Sequence, residues 1–528
     1  MNNPRTTLLS YSEGNLTGLN HTNNEDSIEF AFTYDKDKLV NIKKESNTIE
    51  EHEHTDTTLD SYYPTQTGKL YSLLSDFDKY GRLTKIDGLV ENVYDVKLED
   101  STSVDSAPQR ANASALLTTS KDLTNNQESK YQYSNQDQLV KEQIKNSSGT
   151  VISEETFEYD AANRVTKDRL VYNGNNPKVF ESVILYDEEA TDPTADGRVK
   201  RYSCYLNGAT SPIAQTGTYY DDFKRVTTKF CSIGGKEFKK SITYNKTRPR
   251  QLLEMIDGRP ISNINYEYDA MGRIKKSNNT EYTYDEYGQL TKEQTLDKTT
   301  EYEYNGIGNI VSVTKNGAIT TFGYDTTNPD RLTSYKNKAI TYNANGGVAS
   351  YDGYNYTWSN GKLSSIRKVL ENSSRAILPA LPSSQTYSFG YNGLGQRVSS
   401  SYNYINNGNA QVMLGELTSY NKKFSYDHSG RLIHETVSKT FYGEGTSYAE
   451  LVYLYDESGI VGVQYTNGVN TNAYYYLRNL QGDVIAIYDT NGVEVVSYSY
   501  DAWGNCTINS TTTDYDLAHD NPIRYRDY

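Results

Sequence analysis

Tyr268-Asp269-Ala270-Met271-Gly272-Arg273-Ile274, Tyr284-Asp285-Glu286-Tyr287-Gly288-Gln289-Leu290 and Tyr304-Asn305-Gly306-Ile307-Gly308-Asn309-Ile310 follow one another within residues 264–363. Tyr324-Asp325 with its Arg331-Leu332, Tyr342-Asn343-Ala344-Asn345-Gly346-Gly347-Val348, and Trp358-Ser359-Asn360-Gly361-Lys362-Leu363 continue the series. The leading aromatics lie 16, 20, 20, 18 and 16 residues apart. This is a repeat of about eighteen residues, and a period of that kind outranks any single motif as a guide to architecture.

Each unit predicts a β-hairpin. Tyr282 and Tyr284 stand two apart and share one face of a strand, with Thr283 on the other. Asp285 opens a turn because its carboxylate accepts backbone N–H groups, and Gly288 closes it because glycine tolerates positive φ. A type I turn followed by a left-handed glycine is the usual three-residue hairpin loop with a bulge. Gln289-Leu290 begins the return strand.

Working outward, weaker copies appear at Tyr34-Asp35, at Phe77-Asp78-Lys79-Tyr80-Gly81-Arg82-Leu83 and at Tyr133. Tyr159-Asp160-Ala161-Ala162-Asn163-Arg164-Val165 carries Asn in the glycine seat, and Tyr220-Asp221-Asp222-Phe223-Lys224-Arg225-Val226 carries Lys. Asn is the next-best residue there. Tyr186-Asp187 reaches Gly197-Arg198-Val199 only after an insertion. Tyr391-Asn392-Gly393-Leu394-Gly395, Tyr426-Asp427-His428-Ser429-Gly430-Arg431-Leu432 and Tyr455-Asp456-Glu457-Ser458-Gly459 extend the array. Residues 99–130 interrupt it, with 111–123 suited to a short helix or a surface excursion, and 370–386 suit a longer loop. The expected divisions are degenerate repeats over 1–130, the array over 131–470 and a distinct C-terminal stretch over 471–528.

Composition agrees with a sheet protein. Fifty Tyr among 528 residues, 37 Gly and only 4 Met suit sheets whose faces are both partly wet, since Tyr has an apolar body and a polar tip. The regular turns and the Tyr content argue against disorder, which low hydrophobicity and a net charge of −15 would otherwise suggest. That charge disfavours a nucleic-acid partner. No stretch approaches the roughly 18 apolar residues of a membrane helix, and Met1-Asn2-Asn3-Pro4-Arg5 lacks a signal-peptide pattern. Cys204, Cys231 and Cys506 form no C-x-x-C pair, leaving room for one bond between Cys204 and Cys231.

The units resemble the RHS/YD-repeat family from about residue 30 to 505. Tyr475-Tyr476-Leu477-Arg478-Asn479-Leu480-Gln481-Gly482-Asp483-Val484, Tyr500-Asp501-Ala502-Trp503-Gly504-Asn505 and Asn521-Pro522-Ile523-Arg524-Tyr525-Arg526 resemble the start of that family's RHS-associated core. The resemblance implies an all-β fold in which a long ribbon of hairpins spirals into a hollow shell or an open part of one. In bacterial members the shell encloses a C-terminal toxin that an aspartate-containing site after the core cuts free; related shells occur in Tc toxin complexes and in teneurins. Here Asp527 stands where the family has Gly, and the sequence stops at Tyr528. The cleavage motif and the toxin are therefore not carried over, and the chain is expected to be truncated, split or cut at a chosen boundary.

The residues expected to matter are structural. They are Tyr268, Asp269, Gly272, Arg273, Tyr284, Asp285, Gly288, Tyr426, Asp427, Gly430, Arg431, Tyr500, Asp501 and Gly504 of the repeat, and Asn521, Pro522, Arg524, Tyr525 and Arg526 of the core signature. No catalytic, cofactor or metal residue is expected, and none of the usual nucleophile-elbow, phosphate-loop or zincin motifs occurs. Asp192-Pro193-Thr194-Ala195-Asp196-Gly197 spaces oxygens as a calcium loop would but lacks the closing Glu, and His52 with His54 lacks a third ligand. The expected role is a non-enzymatic, encapsulating shell piece of a secreted or cell-surface bacterial system, partnered by a toxin domain or a downstream core segment. A second reading uses the Tyr-rich faces to bind glycans. An unpaired edge near 500–528 would promote self-association.

Overall fold

The computed structural model describes residues 6–12, 15–22, 27–35, 38–44, 47–54, 58–65, 68–78, 80, 82–94, 116–173, 177–187, 197–326, 328–344, 346–370, 383–405, 415–468, 470–510 and 515–526. Among them are forty-two strands, numbered in chain order from β1 (Thr6–Ser12) to β42 (Cys506–Ser510), and one short helix, α1 (Tyr515–Asp520). Each strand pairs antiparallel with the next, as at the two ends and across the repeat. The result is one meandering sheet that does not close.

The two rims of this ribbon are built differently. At one rim the register slips by a residue at the motif aromatic, between Glu267 and Tyr268, Thr283 and Tyr284, Glu303 and Tyr304, and Ser425 and Tyr426. The slip is the bulge of the three-residue loop, and the left-handed seat holds Gly272 at φ 86° and Gly288 at φ 85°. Asn163 and Lys224 occupy the same seat at φ 64° and 66°. The opposite rim uses two-residue turns such as Asn316-Gly317, with φ 48° and 85°, the mirror-image turn whose twist matches that of the strands.

The ribbon winds past itself in one direction. Thr124 meets Tyr391, Glu142 meets His428, Lys178 meets Glu450, Lys229 meets Asp456, Tyr266 meets Leu480 and Lys315 meets Asp501. Moving up the early half moves the partner up the late half, so the sheet is coiled, not folded back. The sequence separation between partners falls from 286 at Glu142–His428 to 186 at Lys315–Asp501, and the coil tightens toward its C-terminal end. It is the bulged loops of the later coil that dock: those at 392–395, 427–430, 456–459 and 501–504 lie on strands of the earlier one.

Docking makes the late strands two-sided. In β37 (Gly445–Asp456), Leu451 and Tyr453 face one apolar cluster while Val452 and Leu454 face another. In β39 (Asn470–Arg478) Tyr474 and Tyr476 alternate in the same way with Tyr475 and Leu477. The second cluster joins Tyr202, Ile233, Phe238 and Ile256 of the earlier coil, where Phe238 stacks on Tyr475 with ring centroids 4.1 Å apart. The first is capped by Leu517, Ala518 and Ile523 of the tail.

Three sequence expectations change. Leu117–Asp122, within the segment suited to a helix or excursion, is strand β10, because it pairs on both sides with Val90–Tyr94 and Gln127–Tyr133; the irregular stretch 99–130 is therefore shorter. Ser384–Tyr391 is strand, so the expected loop at 370–386 ends earlier. Cys204 and Cys231 are free, since the strand Ala214–Tyr220 runs between them and pairs with both. The 500–528 stretch keeps the expected edge: Cys506–Ser510 pairs with Glu494–Tyr500 on one side and, among the described residues, with no strand on the other, and the chain then turns back over the sheet through α1. The acidic part of the calcium-like sequence, at 192–196, lies outside the described residues.

Candidate functional site

The repeat motif ties each unit to the one before it. Asp269 Oδ1 accepts the Arg273 backbone N–H at 2.9 Å, and Oδ2 accepts the Arg273 guanidinium Nε at 2.6 Å. Asp427 holds Arg431 with the same pair of bonds, at 2.8 and 2.6 Å. Asp285 accepts the Gln289 backbone N–H, and Asp501 accepts both the backbone and the side-chain amide of Asn505. Gly272, Gly288, Gly430 and Gly504 each donate their N–H to the carbonyl of the turn-opening residue. At Asp221 the Arg225 guanidinium holds the carboxyl below its ordinary range, against an opposing desolvation.

The tyrosines link units. Tyr268, Tyr284, Tyr426 and Tyr500 donate their hydroxyls to the carbonyls of Pro249, Ile274, Arg397 and Val484 in the preceding unit, at 2.6–2.8 Å. Trp358 fills the same seat and donates its indole N–H to Val348 at 2.8 Å. The arginine after a turn covers the next tyrosine's face, as Arg273 does over Tyr284 at 4.5 Å and Arg431 over Tyr455 at 5.3 Å. The side chain at that position, arginine or glutamine, also reaches the carbonyl of the next left-handed seat: Arg164 to Gly197, Arg198 to Lys224, and Gln289 to Gly308. A tyrosine engaged at both its hydroxyl and its face is poorly placed to stack on a sugar ring.

One turn has a special neighbourhood. Asp427, His428 and Arg431 dock on β12 (Leu139–Lys145), β13 (Val151–Tyr159) and β14 (Val165–Tyr172), against Glu142, Glu155 and Asp168. The His428 backbone N–H donates to Glu155 at 2.8 Å, and His428 Nδ1 lies 2.7 Å from Glu142. Arg431 Nη2 is 3.5 Å from Asp168. Burial, then the charges of Asp168 and Asp427, push Glu155 up to about 10. Burial also raises Asp168, while the Glu142 hydrogen bond raises His428. The carboxylate oxygens of Glu155, Asp168 and Asp427 lie within 4.8 Å of one another. A cation there would compete with Arg431, to which both oxygens of Asp427 are already committed by backbone and side chain, so the donor set suits internal compensation better than a metal.

The core signature is a clasp. Asn521 is fully buried, accepts the Tyr476 hydroxyl at 2.7 Å and donates to the Ile523 carbonyl at 2.8 Å. Pro522 and Ile523 border a cavity of about 530 Å³ beside Arg397, Tyr426 and Arg431. Arg524 donates to the carbonyls of Asn521 and Ala518, lies over the Tyr498 ring, and its own carbonyl accepts Val484 N–H at 2.8 Å. Tyr525 packs 5.6 Å from Tyr500 and sits against Gly504, where a Cβ would come within 2.7 Å of its ring. The Arg526 backbone N–H donates to Asp483 at 3.1 Å.

The structure thus places the repeat residues in separate turns along one rim, brings Asp427 and Arg431 into the docked cluster, and gathers Asn521–Arg526 at the late strands. Glu142, Glu155 and Asp168 were not singled out by sequence reasoning. The one local signal is the alternation Ser153, Glu155, Phe157 on β13, which puts a carboxylate on a face with an aromatic. His52 and His54 are neighbours, with ring centroids 6.3 Å apart, and are bonded to Ser61 and to the Leu39 carbonyl.

Comparison with known proteins agrees with the repeat. A family described as the teneurin YD-shell matches residues 220–374. The tRNA3(Ser)-specific nuclease WapA of Bacillus spizizenii is 31% identical over 243 residues, covering 45% of this chain. The tRNA nuclease WapA of Bacillus subtilis (strain 168) is 30% identical over the same length. The chain spans 9% of the length of these two relatives. Among solved structures, a crystal structure of TcdB2–TccC3–Cdc42 covers 99% of this chain at 12% identity and a TM-score of 0.33, the match spanning 34% of that chain. The Photorhabdus luminescens Tc holotoxin pore covers 99% at 10% identity and a TM-score of 0.38, again over 34% of the other chain.

Proposed function

We propose that this chain, whose repeat is similar to the YD-shell, is a length of wound wall that contains or presents a toxin domain in a secreted or cell-surface bacterial system. The role is structural and not enzymatic. Residues 131–470 supply the repeat wall and 471–528 begin the core that finishes it. The observation that carries this reading is the same-direction docking of later turns on earlier strands. A flat or merely folded ribbon has no interior, whereas a coil sealed to itself along a seam separates an inside from an outside. The nuclease activity in the relatives' names supports a setting among toxins, and the activity itself belongs to those longer proteins. Electron microscopy of the purified chain tests the reading. A curved particle with a hollow or open interior is expected, and a dense sphere or a straight ribbon overturns it.

A further inference from the structure

At the docked turn, four carboxyl groups meet one guanidinium and one imidazole. Glu142, Glu155 and Asp427 are 7%, 4% and 8% exposed, and Asp168 completes the set. His428 answers Glu142, and Arg431 answers Asp427 at 2.6 Å with Asp168 at its other end. Among the described residues, none supplies Glu155 with a cation of its own. It accepts the His428 backbone N–H, and one of its oxygens lies within 4.8 Å of oxygens of Asp168 and Asp427, a buried crowding of carboxyl groups that favours holding a proton on one of them.

The other groups around this point do not supply a charge for it. Tyr202 from the strand Val199–Leu206 lies 3.5 Å from Arg431. Tyr131 and Phe157 meet His428 edge-on at 6.2 and 5.8 Å. Cys204 borders the same cavity of about 50 Å³, as does Glu181, which is held by Lys167 at 3.1 Å.

We propose that this part of the seam is a pH-sensitive latch, closed while one proton is held between Glu155 and Asp168 and released when alkaline medium removes it. Glu155 and Asp168 belong to the earlier coil, and Asp427 to the later one. Loss of the proton therefore places an uncompensated negative charge beside another across the seam, in a buried setting where water screens it poorly. The Glu155 value, about 10 when folded, stands above its ordinary 4.5. Its favourable contribution is complete below pH 4.5 and is lost as pH rises toward 10. His428, also raised, contributes with the same sign, its share fading as pH climbs past its ordinary 6.5. The latch concerns the winding alone and stands whether or not the wall holds a cargo.

Hydrogen exchange read by mass spectrometry, corrected for intrinsic rates, tests it on peptides covering 139–172 and 424–432. Between about pH 6.5 and pH 9.5 their protection should fall about tenfold or more, while peptides covering 310–324 stay level. Glu155→Gln keeps a neutral hydrogen-bonding group and should remove most of that fall. It should also delete a protonated-carboxyl band from the infrared spectrum near neutral pH. Should that variant not fold, Asp168→Asn serves in its place with the same expectation for protection. Protection that does not change with pH in the parent protein, or an equal fall in the folded variant, overturns the latch.

Discussion

A single tyrosine in this wall does three things, which is why it cannot be traded for leucine. Its ring fills the sheet face, its hydroxyl satisfies a carbonyl one unit back, and its outer surface is covered by an arginine. Tyr284→Phe should cost about 1 kcal/mol, the usual net worth of a hydrogen bond whose loss strands a partly buried acceptor. Tyr448→Phe, at an exposed tyrosine, should leave the denaturant midpoint unchanged. Trp358→Phe should lose as much as Tyr284→Phe, because the indole N–H is what the seat requires. At this scale the turn was legible: Asp285 and Gly288 act within four residues of each other. The tyrosine's acceptor and the importance of Glu155 were not, since each depends on a residue that only the folded sheet brings near, in the case of Glu155 one 273 positions away.

The hairpin is the unit of construction, and its left-handed seat sets its tolerance. Lys224 holds φ 66° with a Cβ in a region that costs roughly 1–2 kcal/mol for most residues. Lys224→Gly should relieve part of that, offset by glycine's greater freedom when unfolded, for a small net gain in thermal stability. Gly504→Ala should do the opposite, combining strain at φ 83° with a clash against the Tyr525 ring. A loss of about 1–3 kcal/mol is expected, and limited proteolysis should show the tail freed earlier than the sheet. The strands were legible from period-2 alternation and recurrent turns. Helix α1 was not, because six residues have little intrinsic helical stability and this segment is ordered by the apolar cluster beneath Leu517 and Ala518.

Across the whole molecule, the seam turns a long sheet into a wall. Its ion pairs are largely buried: Asp456 is 1% exposed at its side chain, beside Lys229 at 2.7 Å. Lys229→Ala strands Asp456 and Glu457 at the seam, and a loss of about 3–5 kcal/mol is expected on unfolding in denaturant. Acid acts at a different place. His434 and Lys178 outweigh burial and draw Glu450 down to about 2 from 4.5, so its contribution is present above pH 4.5 and is lost as pH falls toward 2. Thermal midpoints should decline over that acid window, and Glu450→Gln should flatten the decline. The winding was expected from family resemblance alone; nothing local in the sequence says that residue 142 meets residue 428, because the pairing depends on the accumulated twist of many strands.

Zero-length carbodiimide coupling followed by mass spectrometry tests that winding most directly. Links are expected from Lys178 to Glu450 and from Lys229 to Glu457, at 2.8 and 2.9 Å, in addition to links between adjacent strands. A monomer that yields only adjacent-strand links, with neither of these two, would contradict the coil and with it the wall.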